Sequence, residues 1–210
     1  MRKIRRTLST ADEAKIKSAV ARAESRTRGE IVPMIVRASD AYAHLHVTAG
    51  IALALSFFAI GTAFRPQIHP AWVLLLQLFG YAAGSLLFRI DGVKRTFLKS
   101  REMNRKVFDR ALRAFYEHDL HRTRDATGIL IMASLLERRV QILADRGIHE
   151  KVGDAEWKKA AELLTRALSA GRTADGFCDA IAACGDVLAR HFPASRENTD
   201  ELPNEPIMET

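Results

Sequence analysis

Hydrophobic positions are distributed along this chain in two ways. Between Val47 and Phe88 they run on almost without interruption, whereas elsewhere they recur at helix or strand spacing among charged residues. The continuous segment reads VTAGIALALSFFAIGTAF, then RPQIHP, then AWVLLLQLFGYAAGSLLF. Each half is about 18 residues without a charge, and at about 1.5 Å per residue a helix of that length crosses most of the hydrocarbon of a bilayer. Ser56, Thr62, Gln77 and Ser85 are too scattered to give either half a polar face. The pattern predicts two membrane helices joined by a tight turn at Arg65, Pro66, His69 and Pro70, with Trp72 at headgroup level. Gly80 and Gly84, one turn apart, would let another helix approach closely. That helix is either the first arm of the same hairpin or a second copy of the chain, so a homodimer through them stays open.

The remaining segments alternate helix and strand. Thr10-Ala11-Asp12-Glu13 has the spacing of a capping box, and Ile16, Ala19, Val20 and Ala23 continue a helix that stops at Gly29. Glu30 leads into IVPMIVRAS, apolar enough for a strand covered on both faces, although Pro33 suits an edge or a bulge better. Beyond the hairpin, Asp91-Gly92 breaks the chain before a helix whose stripe is Val107, Phe108, Ala111, Leu112 and Phe115. Gly128 opens a second strand, ILIMAS. Leu135 to Arg139 turns, and VQILAD follows as a third, antiparallel because the connection is too short for a crossover. Asp154 is placed to cap a helix bearing Trp157, Ala161, Leu164 and Leu168, and Gly171 ends it. The last helix presents Phe177, Ile181, Cys184 and Leu188 and stops before Pro193. The acidic tail ENTDELPNEPIMET has two prolines and no periodic apolar face, which predicts disorder.

The expected organisation is therefore an arm, helix and strand in residues 1–46, a transmembrane hairpin in 47–88, the remainder of the domain in 89–193, and a disordered tail in 194–210. The fold class is α/β, a three-layer α/β/α sandwich with a mixed sheet and the hairpin inserted into it.

Charge changes the picture at one place. The net charge of +7 would point to nucleic acid in a soluble protein, but the basic residues flank the hairpin, where anionic lipid headgroups are the simpler partner, and no nucleic acid is expected. Arg2, Lys3, Arg5, Arg6, Arg22, Arg26, Arg28 and Arg37 precede it; Arg89, Lys94, Arg95, Lys99, Arg101, Arg105 and Lys106 follow it; the turn carries only Arg65. By the positive-inside rule both flanks, and with them both termini and the domain, lie on the cytoplasmic side of the inner membrane. Cys178 and Cys184 are six apart on one helix and point apart, as expected of unpaired thiols in a reducing compartment.

Taken together, STADEAKIKSAVARAE, TRGEIVPMIVRASD, RALRAFYEHDLHRT, TGILIMASLLERRVQILADRGI and the Trp-bearing helix after them resemble the TPM domain, roughly over residues 8 to 193. The family takes its name from thylakoid proteins linked to photosystem repair and a receptor modulator. The tail's DELPNE is similar to the end of membrane-anchored bacterial members. The resemblance implies an α/β/α sandwich, phosphatase activity in some members and divalent-metal binding, Ca²⁺ or Mg²⁺, in others.

No standard catalytic signature accompanies it. Phosphate-binding glycine loops, HExxH and CxxC are absent. Cys184 to Arg190 has the C-x5-R spacing of cysteine phosphatases, but GDVLA continues a helix whose amides are already bonded. His118 and His121 are close enough to share a metal, without a third ligand fixed by the sequence; His44 and His46 sit at the membrane entry.

The stronger reading is positional, since ligands of α/β sheets gather beyond the carboxyl ends of the strands. If the first two strands are parallel, that edge collects Ser39 and Asp40 from one and Ser134, Glu137 and Arg138 from the other. Asp40 and Glu137 are then candidate ligands for a hard cation, with Ser39, Ser134 and Arg138 for a substrate oxyanion. Asp145 falls at the opposite edge, and only the family's metal-binding habit makes it a further metal candidate. The plainer alternative is that Ser39 and Asp40 cap the next helix and Glu137 and Arg138 are turn residues in water. Because the hairpin starts just after Asp40, this edge is expected to face the bilayer. Two functions remain: an interaction, assembly or quality-control module for another membrane protein, or a metal-assisted phosphatase acting near the membrane.

Overall fold

The computed structural model describes residues 8–64, 67, 69–194 and 201–209. It divides into two compact units, Met1–Asp40 with Arg101–Thr210, and Ala41–Ser100.

The second unit is a helical hairpin, α2 (Ala43–Phe64) and α3 (Pro70–Leu87), followed by a short α4 (Asp91–Phe97). Its two long helices touch through glycine: a Cβ on Gly84 would lie 2.5 Å from the Ala49 carbonyl oxygen, and one on Gly80 3.0 Å from Ala54 Cα. Both glycines thus lie against the first arm of this hairpin. The hydroxyls of α2 turn back on the helix itself. Ser56 donates to the Ala52 carbonyl and Thr62 to that of Phe58, each at 2.9 Å. His69 caps α3 by accepting the Ala71 N–H at 3.3 Å. Of the expected turn residues, Arg65 and Pro66 lie outside the described residues. Leu55, Phe64, Trp72, Leu78 and Phe79 are left bare on the surface. With mean hydropathies of 2.0 and 1.5, α2 and α3 are long and apolar enough to cross a membrane.

The first unit holds a mixed sheet with helices on both faces. Helix α1 (Thr10–Glu24) begins one residue earlier than the sequence suggests. Ser9, not Thr10, is the cap; its hydroxyl accepts the Asp12 N–H at 3.2 Å, and Asp12 accepts the Ser9 N–H at 2.9 Å. Strand β1 (Glu30–Val36) lies parallel to β2 (Gly128–Ser134), and β3 (Arg139–Ala144) antiparallel to β2. The fourth strand was not foreseen: β4 (Ile207–Glu209), from the acidic tail, runs parallel to β1 and gives the order β3-β2-β1-β4. Within the described residues, the tail expected to be disordered is a strap.

Alternation on β1 and β2 divides the core. Ile31, Ile35, Ile129, Ile131 and Ala133 face α1, α7 (Asp154–Ser169) and α8 (Thr173–His191); Val32, Met34, Leu130 and Met132 face α5 (Ser100–Glu117). Burial on both faces follows, and with it the near-continuous apolar sequence of the two strands. Pro33 is accommodated on an inner strand because of where its nitrogen points. Glu30 N–H donates to Thr127 O on the β2 side, so by alternation residues 31, 33, 35 and 37 turn their amides the other way. There the Ile31 N–H is taken by the Glu24 carboxylate at 2.8 Å, Pro33 has none to offer, and pairing with β4 begins only at Met34. A short α6 (Arg146–His149) follows β3, and α7 is preceded by Gly153 at its cap, one residue before the expected Asp154.

Candidate functional site

The parallel pairing brings the carboxyl ends of β1 and β2 side by side, with Val36 opposite Ser134. Five of the six candidate residues gather at this edge. Ser134 and Glu137 are three apart around the turn that leaves β2, so hydroxyl and carboxylate meet: Ser134 Oγ donates a hydrogen bond to Glu137 Oε2. Glu137 Oε1 accepts the Ser39 backbone N–H at 3.0 Å. The carboxylate thereby ties the end of β2 to the loop leaving β1. It is 1% exposed, neither the solvated turn residue nor the open ligand that the sequence allows.

Asp40 is turned elsewhere. Its Oδ2 accepts from Lys106 Nζ of α5 at 2.6 Å, with both side chains about a third exposed. Ser39 is 4% exposed and its hydroxyl finds no partner, so it caps no helix. Arg138 is exposed, with a left-handed backbone (φ 50°) that closes the turn into β3. Asp145 lies beside Gly128 at the far end of the sheet, as the antiparallel register requires. It caps α6 by accepting the Arg146 N–H at 2.7 Å, while its second oxygen is buried without a partner. The edge therefore unites Ser39, Ser134 and Glu137 directly, holds Asp40 and Arg138 nearby, and excludes Asp145. Among the described residues no three His, Cys, Asp or Glu side chains form a group able to hold a metal ion.

The histidine pair also separates. His118 lies 3.6 Å from Glu209, whereas His121 packs on the Tyr116 ring at 5.0 Å between centroids. Cys184 is fully buried in mid-helix on α8, and desolvation pushes its thiol up to about 12. The thiolate needed for cysteine-phosphatase chemistry is thus absent at neutral pH. Burial raises the Cys178 thiol too, though this residue remains half-exposed. In folded protein at pH 8, Ellman's reagent is expected to titrate Cys178 alone, with Cys184 reacting only after denaturation. Fast labelling of both thiols in the folded chain would contradict this burial.

Two cavities that sequence reasoning missed line the outer edge of β3. One, of about 630 Å³, lies between Asn104 and Val107 of α5, Arg139 to Gln141, and Lys158, Glu162 and Arg166 of α7. The other, of about 500 Å³, continues it past Phe108, Ile142 and Ala144 to His149 and Trp157.

Comparison with known proteins agrees with the fold. The NMR structure of the BA42 protein from the psychrophilic bacterium Bizionia argentinensis matches with a TM-score of 0.61 and 22% identity, covering 97% of this chain and 95% of that one. At that identity the likeness concerns fold alone. No curated protein matches the chain. The stretch that holds α5, the β2–β3 hairpin, α6, α7 and most of α8, residues 93–187, matches the family model of the TPM domain.

Proposed function

We propose that this protein is a membrane-tethered TPM-like domain that works by interaction, as an assembly or quality-control module at the cytoplasmic face of the membrane. The observation that carries the reading is the bare apolar surface of α2 and α3, of which only 6% and 11% of the most apolar stretches are buried within the chain. Surfaces of that composition require lipid or another apolar partner. The strand-end carboxylate supports a non-catalytic role, because Glu137 is committed to Ser39 and Ser134. The basic residues on either side of the hairpin support the cytoplasmic orientation, and anionic headgroups are their partners there. After alkaline washing and high-speed sedimentation without detergent, the chain stays in the pellet, and crosslinking in native membranes recovers a reproducible membrane-protein partner. A chain that remains in the supernatant, or is recovered alone, overturns the proposal.

One observation favours a second reading, a Ca²⁺- or Mg²⁺-assisted phosphatase. The Ser39 hydroxyl is buried without a partner on a residue whose backbone N–H is held by the Glu137 carboxylate, with Asp40 next in sequence, and oxygen donors of this kind suit a hard cation. On this reading Asp40 and Glu137 hold the ion, Asp145 lies too far along the sheet to share it, and Ser39, Ser134 and Arg138 contact the phosphate. Hydrolysis of a generic phosphomonoester by the full chain with Mg²⁺, lowered by orders of magnitude in Asp40→Ala, supports it; no hydrolysis, or an equally active variant, removes it.

A further inference from the structure

Strand β3 forms an outer edge of the sheet, with no strand beyond it among the described residues. Which of its backbone groups face outwards follows from one hydrogen bond. The Asp145 N–H donates to Gly128 O at 2.9 Å, so alternate residues Leu143, Gln141 and Arg139 turn their amides towards β2. Val140, Ile142 and Ala144 therefore point theirs away from the sheet. The Gln141 side chain confirms this by donating to the Ile142 carbonyl at 3.2 Å, a local cover on an otherwise open edge.

The edge is the floor of a groove rather than a flat rim. The two cavities described above run in series along all six residues of β3, walled by α5 on one side and α7 on the other. An extended chain of that length spans about 20 Å and needs both outward-facing backbone groups and pockets for alternate side chains. Phe108, 44% exposed, and the half-buried Val140 and Ala161 supply apolar walls. Trp157 lines the same groove, and its buried indole N–H has no acceptor, which suits a polar backbone ligand better than an aliphatic one.

Charge selects the occupant. Arg139, Lys158 and Arg166 line the groove against the single acid Glu162. A second copy docked edge to edge would bring these cations together across a two-fold axis. The chain's own acidic strap is engaged at the opposite side of the sheet, on β1. We infer that the β3 groove binds an extended acidic peptide segment of another protein, which adds a strand to the sheet there. The inference deepens the interaction reading above and rests on it.

The test uses the full chain in zwitterionic nanodiscs, with Trp72→Phe so that Trp157 alone reports. The probe is a blocked heptapeptide of alternating valine and glutamate. Saturable binding is expected, about tenfold tighter than for the lysine counterpart and abolished when the pairing amides of the peptide are N-methylated. Lys158→Glu with Arg166→Glu, both on the exposed face of α7, weakens the glutamate peptide about tenfold and strengthens the lysine one. Absence of saturable binding, indifference to N-methylation or to charge reversal, dimerisation through β3, or a Trp157 response to anionic vesicles that Lys158→Glu with Arg166→Glu abolishes, in place of one to peptide, overturns the inference. The failures of the two readings are distinguishable. A reproducible partner crosslinked through another surface, with no peptide bound here, sinks the groove assignment and leaves the module; no partner at all sinks both.

Discussion

Glu137→Ala is expected to lower the unfolding free energy of the full chain by about 3 kcal/mol, since a hydrogen bond to a buried charged acceptor contributes roughly 1.5–3 kcal/mol and two are lost. The Ser39 amide and the Ser134 hydroxyl would both be stranded in a site where Ser134 is fully buried. The same contacts hold β1 and β2 together at their carboxyl ends, so loosening should reach the loops beyond both strands. Glu137→Gln retains an oxygen for the Ser39 amide but puts an NH₂ where Ser134 donates, and should lose about half as much. Urea titration of detergent-solubilised protein carrying Trp72→Phe, followed through Trp157 emission, reads both variants. Chelator is present throughout, because that condition separates the structural role from a metal-binding one. A ligand carboxylate stripped of its ion destabilises its surroundings, so its removal would leave the midpoint unchanged or raise it. Such a result, with a Mg²⁺-dependent stabilisation of the parent, seen in a parallel titration without chelator and lost in the variant, would return Glu137 to the cation site.

The sheet was legible in the sequence where its strands are covered on both faces. EIVPMIV and GILIMAS are apolar enough that a buried parallel pair follows, and the short LLER connection makes the third strand antiparallel. Pro33 misleads until the direction of each amide is known, because its cost depends on which side of the strand the missing donor would have faced. The cap of α1 shifts by one residue for a simple reason: Ser9 with Asp12 and Thr10 with Glu13 satisfy the same hydroxyl-to-carboxylate spacing. At the strand ends, position was legible and the hydrogen bonds among the residues were not. Ser-Leu-Leu-Glu at 134 to 137 carries the same three-residue spacing of hydroxyl and carboxylate as a capping box, and that was the available signal that Glu137 turns inward. Strand β4 was invisible because three residues carry no usable periodicity and two prolines precede them. What holds it is long-range pairing, which no local pattern encodes. The β3 groove was equally hidden, since its residues meet only when α5 and α7 are packed on either side of the strand.

Deleting residues 201–210 is expected to cost about 3 kcal/mol and to make the detergent-solubilised chain prone to association. The strap buries Leu202 and Ile207 against the α5 side of the sheet and Met208 against the other, about 1 kcal/mol each at partial burial. It also closes an edge. Without Ile207 to Glu209 the outward amides of Ile35 and Arg37, the latter now donating to the Glu209 carbonyl at 3.0 Å, lie open on an almost wholly apolar strand. Such an edge is a template for pairing with another chain. The charged anchors matter less than the backbone. Glu209 is gripped by Arg110, itself only 14% exposed and also paired with Glu117 at 3.1 Å, and the Arg124 N–H donates to Glu201 at 3.0 Å. Glu209→Ala keeps the ladder and should lose about 1 kcal/mol, because Arg110 retains its second carboxylate. The two variants therefore rank in a fixed order, deletion well below point substitution, in both urea midpoint and light scattering after detergent removal into nanodiscs. A deletion variant with the parent's midpoint would mean that the tail merely lies along β1, and that the edge is protected by Pro33 and the Glu24 carboxylate alone.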